Sequence, residues 1–293
     1  MARFGTVLTA MVTPFDDDLA LDLDAAATLA RWLADHGSDG LVIAGTTGES
    51  ATLDDAEKLD LFRAVAEAVT VPVIAGTGSN DTRHSVELTR AAVGTGVDAV
   101  LAVTPYYNRP SQAGIEGHVR AIAEASDLPV VLYDIAFRTG RKVETDTVLR
   151  LAREVPTVLA LKDAGGDPAA TAALVAAAPG GFEVYSGDDK LTLPLLAVGA
   201  VGVVGVGTHW CGELVAEMIA AFAKGDVEAA RAVNARLLES WAFQSTDAAP
   251  SPLPTKAVMR ALGHRVGDAR GPMGPSPDWL DEQARAVVAR VRG

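Results

Sequence analysis

The sequence predicts a (β/α)8 TIM barrel with a C-terminal helical extension, and three observations lead there. Eight short apolar runs rich in β-branched residues recur at 7–12, 41–44, 71–75, 99–103, 130–133, 158–161, 182–185 and 203–206. The intervals carry helical periodicity, as at 24–33 and 56–62, so strand and helix alternate along the chain. Several runs are apolar at successive residues, the pattern of parallel strands covered on both faces. An open doubly wound sheet is the competing architecture, but the first run leads into Thr13-Pro14-Phe15-Asp16 where a glycine-rich dinucleotide fingerprint would stand.

Taken in order, the first run follows Arg3-Phe4-Gly5, with no charged lead and long apolar stretch of the kind that makes a signal peptide. The second run ends in Gly45-Thr46-Thr47-Gly48-Glu49-Ser50 and the third in Gly76-Thr77-Gly78-Ser79-Asn80. The fourth ends in Thr104-Pro105-Tyr106-Tyr107-Asn108, the fifth in Tyr133, the sixth in Lys162 and the seventh in Ser186-Gly187-Asp188-Asp189. The nearly uncharged stretch 191–211 approaches the length of a membrane span, but Pro194, Gly199, Gly202, Gly205 and Gly207 divide it into a short helix and the eighth strand. After Thr208 the pattern is helix alone, at 212–224, 227–243, 255–262 and 277–291, with a proline-rich connector at 245–254. The expected division is a barrel carrying the active site over 1–224 and a helical domain over 225–293.

Composition narrows the function. Hydrophobic residues make up 49% of the chain and charged residues 22%, as expected of a globular enzyme with a large core and not of a disordered chain. The net charge of −13 repels duplex nucleic acid and anionic membrane surfaces, so neither is expected as a partner. The single cysteine, Cys211, has no internal disulfide partner, and no Cys/His set with zinc spacing occurs; a reducing cytoplasm is the expected compartment and no metal is expected.

In such a barrel the active site lies at the C-terminal ends of the strands, so the residues that close the runs are the candidates. Lys162 leads them. It closes an apolar run that offers an ammonium no obvious surface, burial favours the neutral amine, and a neutral amine attacks carbonyl carbon to form a Schiff base. The competing reading is a structural lysine paired with Asp163. The 45–48 turn supplies backbone N–H groups and two hydroxyls suited to a carboxylate or phosphate, or simply an N-cap. Tyr133 beside a lysine is suited to relay protons or only to line the barrel. Arg138 is suited to clamp a carboxylate with two hydrogen bonds, or is a solvated neighbour of Arg141 and Lys142. Their convergence on one face favours a site.

These strings, together with Leu161-Lys162-Asp163-Ala164 and Arg138-Thr139-Gly140, resemble the dihydrodipicolinate synthase family of pyruvate-dependent class I aldolases in order and spacing, from about Gly5 to Gly293. The string 104–112 and Arg138 are closer to the synthase branch than to the sugar-acid lyases. The resemblance implies a lyase that condenses pyruvate with aspartate 4-semialdehyde in lysine and diaminopimelate biosynthesis, with Lys162 as Schiff-base nucleophile and no dissociable cofactor. Tyr133, Thr46 and Tyr107 would form the proton relay, with Tyr107 reaching in from a neighbouring subunit. Thr47 would hold the pyruvate carboxylate, Arg138 that of the aldehyde, and Gly187 and Val204 would line the pocket. A homo-oligomer is therefore implied, a dimer at least and a tetramer by family habit.

Two departures qualify the match. The family's proline after the tyrosine strand is Ala136 here, followed by Phe137, which frees the loop that aims Tyr133 and Arg138 and sets a large ring beside the clamp. A pyruvate lyase with another aldehyde partner, an impaired homologue and a silent barrel acting as a scaffold stay open on that account. The lysine-feedback site of some members corresponds to Ser50, Ala51, Asn80, His84 and Tyr106. Usual histidine positions are Asp55 and Lys58, and the usual glutamate is His84, so weak or absent feedback is expected.

Overall fold

The computed structural model describes residues 2–292; residues 1 and 293, the outer ends of the two expected domains, lie outside the described residues. The strands are β1 (Val7–Ala10), β2 (Gly40–Ile43), β3 (Val73–Gly76), β4 (Ala99–Val103), β5 (Val130–Asp134), β6 (Val158–Asp163), β7 (Glu183–Ser186) and β8 (Gly202–Gly205). They close into one parallel barrel in sequence order, with β1 paired to β8 through Leu8 opposite Val204. The expected architecture is the observed one, and the open sheet is excluded by that closure.

The barrel has an inner and an outer face because side chains alternate along each strand. Leu8, Ala10, Val42, Ile74, Leu101, Val131, Ala160 and Val204 fill the interior, while Val7, Leu41, Val100, Leu132 and Leu161 turn outward onto the helices. The same alternation turns Tyr133 and Lys162 inward at the ends of β5 and β6, where the register sets them opposite each other.

The surrounding helices are α1 (Leu23–Asp35), α2 (Asp55–Ala68), α3 (Thr82–Ala92), α4 (Gln112–Ala123), α5 (Ala136–Thr139), α6 (Thr145–Glu154), α7 (Pro168–Ala177), α8 (Thr192–Ala197) and α9 (Thr208–Ala223). Several of them start on capping side chains: Asp22 accepts from the Ala25 N–H, and Asp54 with Glu57 forms a reciprocal capping box. Beyond them, α10 (Val227–Phe243), α11 (Leu253–Ala261) and α12 (Leu280–Arg292) pack with α9 in one apolar cluster that includes Val7 and Val203 on the outer face of β1 and β8.

Strand limits shift by one or two residues from the sequence reading. At β6 the strand runs to Asp163 and so takes Lys162, the residue that closes the apolar run, inside it. The Ala136 loop is not left open: Arg138 N–H donates to the Ile135 carbonyl at 2.9 Å and Gly140 N–H to the Ala136 carbonyl at 2.8 Å, closing a helical turn where proline is absent.

Candidate active site

Lys162 is 5% exposed, and its Nζ lies 4.3 Å from the centre of the Tyr133 ring. Burial lowers its pKa to about 8, with the Arg138 charge acting in the same direction and the Asp189 carboxylate opposing both. Asp189 is itself buried beside the tip of β8, its Oδ2 accepting the Val206 N–H at 2.8 Å. The Tyr133 phenol is pushed up to about 12 by burial, offset in part by its interaction with the Thr46 side chain and by the Arg138 charge. At neutral pH the site therefore holds a lysine that is mostly ammonium but has a neutral fraction of roughly a tenth, far above that of an exposed lysine, beside a tyrosine that keeps its proton.

Thr46 stands on the turn that follows β2, and Thr47 beside it is buried. The Gly48 carbonyl accepts from the Thr13 hydroxyl at 2.6 Å, and a Cβ at Gly48 would lie 3.0 Å from both the Ala44 nitrogen and the Met11 carbonyl, so only glycine lets the turn sit this close to β1. Gly187 is constrained in the same way: a Cβ there would stand 3.0 Å from Lys162 Cγ. Val204 is buried in the barrel interior with Tyr133.

A cavity of about 330 Å³ opens above these groups, and Thr46, Tyr133 and Arg138 are among the residues that line it. Tyr106, Ser50 and Ala51 line it too, as do Ser251, Pro252, Pro272 and Met273 from the C-terminal segment. That last contribution was not anticipated, because nothing in a proline-rich connector announces which part of the barrel it crosses. Lys162, Thr47, Gly187 and Val204 are not among the residues that line the cavity, which adjoins the amine through Tyr133, whose ring centre lies 4.3 Å from Lys162 Nζ.

Three expected site residues lie apart from this cluster. Tyr107 is 91% exposed and adopts the left-handed region at φ 71°, so within one chain it does not meet Thr46 and Tyr133. Asn80 gives its carbonyl to Asn108 Nδ2 at 2.9 Å, and His84 Nε2 lies 2.9 Å from Asp55. Lys58 Nζ lies 3.6 Å from the same Asp55, so its charge is shared with a carboxylate and not presented alone. Phe137, the expected intruder beside the clamp, is 76% exposed, and its ring faces the Arg138 guanidinium at 5.2 Å.

A parallel barrel with a buried, pKa-lowered lysine facing a tyrosine across neighbouring strands is an arrangement suited to Schiff-base chemistry, and so to a lyase. Residues 3–290 match the dihydrodipicolinate synthetase family, and the chain belongs to it. It is 50% identical over 273 residues to 4-hydroxy-tetrahydrodipicolinate synthase of Moorella thermoacetica, covering 92% of each chain. It is also similar to the crystal structures of dihydrodipicolinate synthase from Bacillus anthracis, at 44% identity, 99% coverage of each chain and TM-score 0.94, and of the Cyanidioschyzon merolae enzyme with lysine bound, at 41% identity, coverage of 100% of this chain and 99% of that one, and TM-score 0.96.

Competitive labelling of Lys162 with a small amine-selective reagent, read by mass spectrometry, is expected to rise through pH about 8. Asp189→Asn should move that midpoint to lower pH, because the carboxylate that favours the ammonium is gone. A midpoint at the ordinary lysine value of 10.5 would contradict the burial argument.

Proposed function

We propose that the protein is a 4-hydroxy-tetrahydrodipicolinate synthase that joins pyruvate to L-aspartate 4-semialdehyde in lysine and diaminopimelate biosynthesis. The observation that carries the reading is Lys162 buried inside β6 and set opposite Tyr133 on β5. The neutral Nζ attacks the ketone carbon of pyruvate, water leaves, and the iminium acts as electron sink while a proton leaves the methyl carbon. The resulting enamine carbon attacks the aldehyde, and the substrate's own amine then displaces Lys162 as the ring closes. Tyr133, protonated at neutral pH and in contact with Thr46, is placed to give and recover these protons. Thr47 and its turn receive the pyruvate carboxylate, Arg138 receives that of the aldehyde, and Gly187 and Val204 shape the space around Lys162.

Tyr107 supports a homo-oligomer. A large exposed side chain held at positive φ is strained without an evident local reward, and such strain concentrates at functional contacts. Its partner is a second copy of the chain, in whose site Tyr107 completes the relay with Thr46 and Tyr133; pairs of dimers then give the tetramer. The reducing cytoplasm is the proposed compartment, supported by the single buried thiol of Cys211. Among the described residues, no helix is long and apolar enough to cross a membrane.

One assay tests both substrate and assembly. With pyruvate, aspartate 4-semialdehyde should turn over at least tenfold more efficiently than sugar aldehydes, roughly the effect of losing one carboxylate clamp. Efficient turnover of a sugar aldehyde instead would favour the lyase alternative. Co-expressed Lys162→Ala and Tyr107→Phe chains should recover about one quarter of wild-type activity, since half the dimers are mixed and each mixed dimer has one intact site. No recovery would place Tyr107 in its own chain's chemistry.

At the mouth, Ser50, Ala51, Asn80, His84 and Tyr106 form the proposed regulatory position. Because Asp55 already engages both His84 and Lys58, an incoming lysine ammonium finds its carboxylate occupied. Sub-millimolar lysine is expected to leave the rate unchanged in a titration; saturable inhibition in that range would contradict this.

A further inference from the structure

Outside the Lys162 site, a deeply buried ion pair lies at the joint between the barrel mouth and the C-terminal helices. Lys256 on α11 is fully buried, and its Nζ lies 2.8 Å from Glu49 Oε1, whose side chain is 2% exposed. The same ammonium donates to the Asp268 carbonyl at 2.8 Å and sits 4.2 Å from the centre of the Phe15 ring. Glu49 Oε2 accepts the Arg270 N–H at 2.9 Å. The Arg270 guanidinium in turn grips Glu57 through two hydrogen bonds and donates to the Thr52 carbonyl at 2.8 Å, so the segment is clamped on both sides of the 50–52 turn.

Glu49 is the connection to the chemistry. It follows directly on Thr46-Thr47-Gly48 and lines the cavity. Its backbone occupies the left-handed region at φ 55°, a conformation that a residue with a side chain rarely holds without help. Its N–H donates to the Thr46 carbonyl at 3.1 Å, and the Ser50 N–H donates to the Gly45 carbonyl at 3.2 Å. Where the carboxylate is fixed, the turn presenting the two threonines is fixed as well. A buried ion pair adds little to stability that well-packed apolar side chains would not add, so its presence here calls for a role in geometry.

We propose that the Glu49–Lys256 pair is a positioning device that holds the 45–48 turn in the shape that receives the pyruvate carboxylate. The C-terminal helices thereby become a working part of the site. Neither residue touches the reacting atoms; both act through Thr46 and Thr47. The inference rests on the pyruvate reading given above.

The test uses the full chain, with Glu49→Gln and the double variant Glu49→Gln/Lys256→Met, which removes the carboxylate and the ammonium together. Separate KM values are read for pyruvate and for the aldehyde, alongside the melting temperature. The pyruvate KM is expected to rise about tenfold while the aldehyde KM, set at Arg138, stays within about twofold. A role confined to stability would lower the melting temperature or the active fraction and leave the pyruvate KM alone, and that result overturns the proposal. If neither variant folds, Glu49→Asp, which keeps the charge and retracts it by one methylene, decides by the same criterion. Borohydride trapping of wild type with pyruvate separates the two claims. A wild type that forms no adduct removes the pyruvate reading and this inference with it, whereas trapping by wild type with an unchanged pyruvate KM in the variants removes this inference alone.

Discussion

Burying an amine inside a closed barrel costs free energy, and that cost lowers the Lys162 pKa, on which its proposed role as nucleophile depends. The interior is lined by Ala160, Val131 and Val204, which offer the ammonium no hydrogen bonds, so the neutral form is favoured and the pKa falls to about 8. Asp189 limits the fall and keeps a counter-charge available for the iminium that a ketone would create. Tyr133 is affected in the opposite sense by the same burial: its phenol holds its proton until an acceptor arrives. One low-dielectric space thus eases the loss of the amine's proton and holds the phenol's in place, the pairing that imine chemistry needs. The geometry depends in turn on closure. Alternation along β5 and β6 turns both side chains inward only because the strands are parallel and in register, Tyr133 opposite Lys162.

The mouth of the barrel is built from more of the chain than the strand ends. The turn after β2 is gripped from the far end of the sequence, through Glu49 to Lys256 and Arg270, while Ser251, Pro252, Pro272 and Met273 close one wall of the cavity. The C-terminal segment that shares an apolar cluster with β1 and β8 therefore also walls the cavity. Tyr107 stands exposed at positive φ after β4, and its proposed role depends on a second copy of the chain.

Much of this was legible in the sequence because it follows from periodicity. Eight apolar runs and the residues closing them give the barrel and the identity of its mouth, and an unbroken run ending in lysine shows that the amine is buried. What was not legible depends on long-range approach. Lys256 lies in an ordinary amphipathic segment, and nothing local marks it as buried or pairs it with a glutamate more than two hundred residues earlier. The 136–139 turn misled in the other direction: proline was expected to be needed, yet backbone hydrogen bonds close the turn without it and Phe137 faces outward. Lys58 pairs with Asp55 three residues earlier on α2, a spacing any helix allows, whereas the approach of His84 to the same carboxylate from α3 has no local sign.

If burial lowers the Lys162 pKa far enough for its amine to attack a ketone, the residue forms an imine with pyruvate. Incubation with pyruvate and borohydride followed by intact-mass measurement tests it, with Lys162→Met as the comparison. The account predicts one reduced pyruvate adduct per chain, mapped to Lys162 and absent from the variant. No adduct in the wild-type protein, or an adduct that survives in the variant, would contradict it.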